Sequence, residues 1–113
     1  MPDDCLFCRI VRGEIPATIV AETEHCLAFR DIDPKAPVHV LVIPREHVAS
    51  LDKADDPAMV GRLALLAAEI ARQEGIAADG YRTVLNTNSG AGQTVFHIHL
   101  HLLGGRKLSW PPG

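Results

Sequence analysis

The sequence predicts an α+β domain in which a five-stranded, mainly antiparallel sheet packs against one long helix and one short helix. Five short apolar segments have the length of strands, and one longer segment has apolar residues at helical spacing. Most turns between the strands are short and contain Gly, Pro, Asn or Asp, which favours antiparallel neighbours. The 113 residues predict a single domain over residues 1–113.

Three strands are predicted in the first half of the chain. Residues 19–22 and 26–30 form a hairpin, and two prolines make residues 33–37 a rigid loop. Residues 39–43 form the third strand, which Pro44 ends. The short helix is expected near residues 46–51.

The long helix is predicted to begin after Asp56, an acidic N-cap that is followed by Pro57 at the first helical position. Its buried face carries apolar residues at helical spacing, namely Met59, Leu63, Leu66 and Ile70. Gly75 is a suitable residue for the end of the helix. The spacing therefore predicts one amphipathic helix against the sheet.

The last two strands are predicted at residues 81–88 and 93–103, with a glycine-rich loop at 89–92 between them. The fifth strand carries three alternating histidines, His97, His99 and His101. In an extended strand these imidazoles share one face, with about 7 Å between the first and the second. The other face is apolar and consists of Phe96, Ile98, Leu100 and Leu102.

Composition excludes several classes of function. A net charge of −3 gives no strong attraction for a nucleic-acid polymer, and no segment approaches the ~20 apolar residues of a membrane span. The acidic start of the chain lacks the features of a secretory signal, so we expect a cytoplasmic location. Three cysteines in that compartment are expected to be reduced, and Cys26 is expected to be a small core residue.

Three interpretations of the histidine strand remain open. Exposed polar residues on a half-buried strand are the simplest. A metal site is the second, although no carboxylate follows the histidines. The third is nucleophilic catalysis, because a neutral imidazole nitrogen can attack phosphorus while a neighbouring histidine protonates the leaving group. Backbone N–H groups of residues 90–92 would then seat a phosphate.

Cys5 and Cys8 form a CxxC pair, which is compatible with zinc binding, redox chemistry or chance. A thioredoxin-type pair follows a strand and opens a helix, whereas this pair lies at the start of the chain. Two histidines in rigid settings, His47 and His97, would complete a closed tetrahedral zinc site. The alternative is a pair of reduced thiols with His97 bonded to a backbone carbonyl.

The run from Gly92 to Gly105 resembles the signature of the histidine-triad (HIT) superfamily, in which histidines alternate with apolar residues. Gln93 before the triad and the Gly-Gly pair after it resemble the Hint branch of nucleoside phosphoramidases. Further similarity spans almost the whole chain, over residues 7–16, 27–32, 36–44 and the terminal Trp-Pro-Pro-Gly. Thr94 departs from this branch, which commonly has serine there.

The resemblance implies hydrolysis of purine nucleoside 5′-phosphoramidates or related nucleotidyl compounds through a covalent nucleotidyl-histidine intermediate. It implies that His99 is the nucleophile, that His101 assists the leaving group and that His39 orients the triad. It places Asp31 on the ribose hydroxyls and Phe7, Ile10, Phe29 and Ile32 around the base. The phosphate would contact Asn86, Gly92, Gln93, Thr94 and Val95, together with the two catalytic triad histidines.

The resemblance also implies structural zinc on Cys5, Cys8, His47 and His97, as in bacterial relatives with a CxxC pair. It further implies the HIT fold and a homodimer with one continuous sheet, in which Trp110 of each chain lies near the partner's site. Two other functions stay open at this point. One is hydrolysis of dinucleoside polyphosphates, and the other is a non-catalytic regulatory protein that binds purine nucleotides.

Overall fold

The strands form one antiparallel sheet that is crossed on one face by a long helix. The computed structural model describes residues 2–113, and the sheet has the order β1-β2-β3-β5-β4. The strands are β1 (Ile19–Glu22), β2 (Cys26–Arg30), β3 (Val38–Pro44), β4 (Tyr81–Val84) and β5 (Leu100–Gly104), and the helices are α1 (Leu6–Val11) and α2 (Pro57–Gln73). All four strand pairings are antiparallel. The predicted α+β class is confirmed.

Both faces of the central strands are buried, which is why β2 and β3 are apolar apart from Arg30 and His39. Alternate residues face α2 and form the larger core, in which Val40, Val42 and Leu102 are fully buried. The residues between them, Leu41 and Ile43 of β3, belong to a second cluster on the opposite face. Phe7 of α1 packs into that second cluster, so α1 and α2 lie on opposite sides of the sheet.

The long helix begins and ends close to its predicted limits. Asp56 accepts a hydrogen bond from the N–H of Ala58 at 2.9 Å, and Pro57 occupies the first helical position. These features match the predicted N-cap. Gly75 follows the helix with a φ of +76°, a left-handed conformation that glycine adopts without strain.

The histidine strand is shorter than predicted, because β5 begins only at Leu100. Val42 pairs with Leu100, so continuing the same register would place Pro44 opposite Ile98. Proline has no N–H to donate to the ladder, and the N–H of Ile98 donates instead to the carbonyl of Val48 at 2.6 Å. Residues 95–97 therefore bend away from the sheet.

Three other predictions for the segments around this bend are also corrected. Residues 85–88 do not continue β4. The last pair is Val84 with His101, and because β5 begins at Leu100 it has no residues to pair with the end of this segment. The short helix at 46–51 is wrong, since the structure has only a single 3₁₀ turn at Leu51–Lys53 and the carbonyls of Val48 and Ala49 are bonded to residues 93–98. Phe96 is 47% exposed, so the predicted apolar face loses its first member.

The N-terminal helix α1 was not expected from the sequence. Cys5 is its N-cap, and the Cys5 sulfur accepts a hydrogen bond from the N–H of Cys8 at 3.3 Å. The CxxC pair therefore does open a helix, contrary to the argument made from the sequence. At six residues the helix is too short for its apolar periodicity to stand out.

The sheet ends in two short edge strands, β1 and β4, either of which can pair with another chain. The homodimer with a continuous sheet stays a prediction.

Within residues 2–113, neither helix has the combination of length and apolar character required to cross a lipid bilayer.

Candidate functional site

The three alternating histidines lie on the α1 side of the sheet, although only His101 belongs to a regular strand. The rings of His97 and His99 both meet Phe7 edge to face, at centroid distances of 6.0 and 5.1 Å. The His99 and His101 rings are 5.0 Å apart. The intervening Ile98 and Leu100 face the larger core on the other side. The alternation therefore separates polar from apolar side chains as the sequence predicted.

One nitrogen of His99 is held by a backbone carbonyl. Its Nδ1 lies 2.8 Å from the carbonyl oxygen of His97, which can only accept, so Nδ1 carries the proton. Nε2 is then left with a lone pair. Burial lowers the pKa of His99 below its ordinary value, with partial opposition from the same carbonyl. His99 is thus held as a neutral imidazole whose unprotonated nitrogen is Nε2.

A chain of hydrogen bonds leads to His101 from the opposite side. The backbone N–H of Lys35 donates to Nδ1 of His39 at 3.0 Å, so the proton of neutral His39 sits on Nε2. That Nε2 lies 2.9 Å from Nδ1 of His101 and donates to it. His101 must then carry its own proton on Nε2. The chain therefore leaves His101 with a proton donor, Nε2–H, at the end of the ring away from its bond with His39.

The two histidines of this chain are neutral near pH 7. Burial, followed by the neighbouring His99 and His39, lowers the pKa of His101 to about 4. Burial also lowers the pKa of His39, with partial opposition from the Asp31 carboxylate. Both side chains act as hydrogen-bonding imidazoles in the folded protein.

Asp31 stands beside this pair. One of its oxygens, Oδ2, lies 3.4 Å from Nε2 of His39, and the other accepts a hydrogen bond from the N–H of Asp33 at 2.8 Å. Asp31, His39 and His101 are close enough together to suggest a metal site. The proton on Nε2 of His39 argues for a hydrogen-bonded array instead, because a metal requires an unprotonated nitrogen.

The second cluster consists of Cys5, Cys8, His47 and His97, whose ligand atoms lie within 4.8 Å of one another. Nδ1 of His97 is 3.5 Å from both sulfurs, and Nδ1 of His47 is 3.3 Å from the Cys8 sulfur. A tetrahedral zinc ion with bonds of about 2.3 Å to sulfur and 2.0–2.1 Å to nitrogen separates such ligands by about 3.6 Å. The observed spacing therefore fits zinc.

The protonation of the cluster fits a cation as well. Nε2 of His97 lies 2.8 Å from the carbonyl of Pro44, so Nε2 holds the proton and Nδ1 presents its lone pair to the sulfurs. Burial, and next the hydrogen bond with Cys5, raises the pKa of the Cys8 thiol to about 11. A dication would supply the charge that two adjacent thiolates require.

The residues expected around a base are only partly assembled. Phe7 and Phe29 are buried in one cluster with their rings 5.4 Å apart, and Ile10 packs against that cluster. Ile32 is fully exposed and packs against none of them. Asp31, expected on the ribose, is half-buried at the edge of the same region. Three of the four apolar residues therefore lie together.

Gln93, expected near phosphate oxygens, is used differently in the structure. It is buried, its amide N–H groups donate to the carbonyls of Ala49 (2.8 Å) and Val95 (3.1 Å), and its oxygen accepts from the N–H of Asn88 (2.7 Å). Its polar atoms are therefore occupied by the backbone. Gln93 ties the glycine-rich loop to the segments on either side of the metal cluster.

The remaining phosphate candidates are more accessible. Thr94 and Gly92 are exposed, whereas Asn86 and Val95 are half-buried. Thr94 and Val95 line a cavity of about 320 Å³ together with Cys5 and His47, so they also border the metal cluster. Trp110, which was expected near the partner's site in a homodimer, is 80% exposed in the single chain.

Sequence reasoning missed three backbone groups that orient the histidines: the carbonyls of Pro44 and His97, and the N–H of Lys35. Every residue except proline carries both groups, so no residue type in the sequence indicates which of them will meet a histidine.

Comparison with known proteins places this arrangement in a family. Residues 12–108 match the family model of the HIT domain. The chain belongs to the HIT family. It is 55% identical to a HIT-like protein of Synechococcus elongatus, with full coverage of both chains. The crystal structure of a HIT family hydrolase from Legionella pneumophila is 52% identical, with a TM-score of 0.95 over 97% of this chain and 100% of the other. That of a histidine triad nucleotide-binding protein from Candida albicans is 30% identical, with a TM-score of 0.83 over 96% and 83% of the respective chains.

The first prediction for this HIT protein concerns the metal. Dialysis against zinc followed by removal of free metal is expected to leave about one zinc ion per chain, measured by elemental mass spectrometry. Cys8→Ser removes a ligand that no neighbouring group replaces, so it is expected to lose the ion. Cys26→Ser is the matched control, because Cys26 faces the core on the other side of the sheet, and this variant should retain zinc. Metal-free wild-type protein, or full zinc content in Cys8→Ser, would contradict the assignment.

The second prediction concerns stability against pH. The pKa of His101 is about 4 in the folded protein and about 6.5 in the unfolded chain. Stability from this group is present above pH 6.5 and is lost as pH falls towards 4, because only the unfolded chain then binds the proton. The free energy of unfolding in urea should fall by up to about 2 kcal/mol more between pH 7 and 5 in wild type than in His101→Asn. The exposed His25, changed to Asn, is the control and should keep the wild-type slope. Equal slopes in wild type and His101→Asn would contradict the neutral state of His101.

Proposed function

We propose that this protein is a nucleotidyl hydrolase that cleaves purine nucleoside 5′-phosphoramidates through a covalent intermediate on His99. The observation that carries the proposal is the hydrogen bond from Nδ1 of His99 to the His97 carbonyl, which leaves Nε2 unprotonated. A neutral imidazole with one fixed free nitrogen is suited to attack phosphorus. The proposal is further supported by the relatives from Legionella pneumophila and Candida albicans, which are described as a hydrolase and as a nucleotide-binding protein.

In the first step, Nε2 of His99 forms a bond to phosphorus and the bond from phosphorus to the bridging nitrogen breaks. The departing nitrogen takes the proton from Nε2 of His101. His99 becomes positively charged as it is phosphorylated, and its ring lies 5.0 Å from the ring of His101. The negative phosphoramidate favours a proton on His101 in the complex, so that His101 acts as a protonated imidazole and is neutral, not anionic, once the proton has left.

In the second step, water cleaves the intermediate. The water oxygen bonds to phosphorus, the bond to Nε2 of His99 breaks, and His101 takes the proton of the water. The products are the amine and the nucleoside monophosphate, and both histidines return to their starting protonation states. His101 therefore serves first as the acid and then as the base.

The substrate class follows from the surroundings of the histidines. The Asp31 carboxylate has acceptor capacity beyond its bond with Asp33, which suits the two hydroxyls of a ribose. Phe7 and Phe29 are themselves buried, so the half-buried Ile10 beside them provides the apolar surface that remains for a base on this side of the sheet.

The phosphate seat expected from the N–H groups of residues 90–92 is corrected, because Ala91 and Gly92 already donate to the carbonyls of Asn88 and Ser89. We assign the exposed hydroxyl of Thr94 as a donor for the phosphate oxygens instead.

The metal cluster has a supporting role in this proposal. Zinc, when bound, would neutralise the two thiolates and join α1 to the segments that carry His47 and His97. His97 is then fixed from both sides, since its Nε2 is already bonded to the Pro44 carbonyl. Because the His97 carbonyl orients His99, the cluster stabilises the geometry of the nucleophile without touching the substrate.

The test is trapping of the intermediate. Adenosine 5′-phosphoramidate is mixed with wild-type protein, quenched with base within one turnover, and examined by intact mass and peptide mapping. We expect the mass of the chain to rise by one nucleotidyl group on the peptide that carries His99. His99→Ala should form no adduct and lose at least about a thousandfold in turnover, because it lacks the attacking nitrogen.

His25→Ala serves as the control for histidine replacement, since His25 is exposed on the β1–β2 turn and should leave both adduct and turnover unchanged. Turnover by wild type with no adduct at any quench time, or an adduct on a residue other than His99, would contradict the mechanism. Binding of adenosine monophosphate with no turnover at all would instead favour the regulatory alternative.

A further inference from the structure

We infer that Gln93 is a positioning residue for the proposed reaction: its buried side-chain amide fixes Thr94, the phosphate donor assigned above, relative to His99. The inference rests on the proposed function, and it adds a residue that acts on the substrate only through its neighbours. Gln93 is 3% exposed, and its amide makes three hydrogen bonds to the backbone.

The amide joins the loop before the histidines to the segment that also holds the bend next to His99. Its Nε2 donates to the carbonyl of Ala49 at 2.8 Å. The carbonyl of the preceding residue, Val48, accepts from the N–H of Ile98 at 2.6 Å. Two consecutive carbonyls therefore anchor the loop and the neighbour of His99, so that the two segments have a fixed relation to each other.

Gln93 also fixes the backbone on both sides of Thr94. Its Nε2 donates to the carbonyl of Val95 at 3.1 Å, and its backbone N–H donates to the carbonyl of Asn88 at 3.1 Å. Thr94 itself is exposed. The place of its hydroxyl therefore depends on the hydrogen bonds of its two neighbours in the chain.

Asn88 shows that this loop is held against a backbone preference. Its φ of +67° and ψ of 172° lie in a region that glycine adopts far more readily than asparagine. Gln93 bonds both backbone groups of Asn88, since its amide oxygen also accepts from the Asn88 N–H at 2.7 Å. Such a conformation persists only where the surroundings enforce it. Without the Gln93 amide, Asn88 should relax and displace the loop that carries Thr94.

The consequence for the reaction is a slower chemical step. A donor that is already in place when phosphate arrives needs no rearrangement in the transition state, so its displacement lowers the rate of bond formation to phosphorus. None of the groups assigned to bond making or proton transfer is altered when Gln93 is replaced.

The experiment is a double-mutant cycle of Gln93→Met and Thr94→Val, two replacements that nearly preserve side-chain shape. The single-turnover rate of adduct formation is measured at saturating adenosine 5′-phosphoramidate. Each single variant is expected to be about tenfold slower than wild type, the size of a hydrogen bond to a charged group. The double variant should also be about tenfold slower, because both changes remove the same donor. A loss of about a hundredfold in the double variant, as independent effects would give, would overturn the inference.

Two controls separate positioning from general damage. Leu66→Val weakens the core on the other side of the sheet and should keep the wild-type rate. Zinc content, measured on the same samples, should be equal in wild type and Gln93→Met. Loss of zinc in Gln93→Met would contradict the inference, because the effect on rate would then run through the metal cluster.

Asn88 provides an arm that leaves every buried group in place, because its side chain is exposed. Asn88→Gly should react within about twofold of wild type, whereas Asn88→Val should be about tenfold slower, since a β-branched residue resists positive φ. Asn88→Gly combined with Gln93→Met should recover most of the lost rate, because glycine keeps the loop conformation without the amide. Equal rates in Asn88→Gly and Asn88→Val, or no recovery in the combined variant, would overturn the link through Asn88.

The outcomes distinguish this inference from the function on which it rests. A wild-type rate in Gln93→Met, with the adduct still formed on His99, overturns the positioning role alone. Absence of the adduct in wild-type protein overturns the proposed function, and the inference with it.

Discussion

The proposed role of His99 depends on one hydrogen bond, that from Nδ1 of His99 to the carbonyl of His97. It determines which nitrogen of the buried His99 carries a proton, and so which nitrogen can attack. The carbonyl can occupy that place only because residues 95–97 bend away from the sheet before β5 begins. The bend in turn follows from Pro44, which cannot donate to a longer ladder, and from the bond between Ile98 and Val48. A backbone irregularity next to a strand is thus what gives the His99 ring its orientation.

The three histidines of the repeat have different partners in spite of their regular spacing. His97 faces the cysteine pair with one nitrogen and a carbonyl with the other, which suits a metal ligand. His101 is bonded to His39 and keeps a proton at its free end, which suits an acid. His99 lies between them and contacts Phe7 of α1. Since Phe7 stands between the two cysteines in the sequence, the Cys5–Cys8–His47–His97 cluster also supports the side chain that packs on His99.

The sequence predicted the sheet, the long helix and the grouping of Cys5, Cys8, His47 and His97, because those features depend on periodicity and on residue type. The position of His39 beside His101 was implied only by the resemblance to the HIT family. Helix α2 was predictable from Asp56 and Pro57 at its start and from its apolar face. The beginning of β5, the absence of a helix at 46–51 and the helix at Cys5 were not, because they depend on long-range backbone hydrogen bonds or on a short segment with little periodicity. Gln93 shows the same limit, since nothing in its sequence context indicates that its side chain bonds the nearby backbone of Asn88 and Val95 and the distant carbonyl of Ala49.

The most direct test of the account is the protonation state of His99 in the substrate-free protein. Nitrogen-15 NMR of protein labelled in its histidines, with the His99 signals assigned by their loss in His99→Ala, distinguishes the two neutral forms of the ring. At pH 7 the account predicts a proton on Nδ1 and none on Nε2. A proton on Nε2, or a doubly protonated ring, would leave no free nitrogen to attack phosphorus and would contradict the central claim.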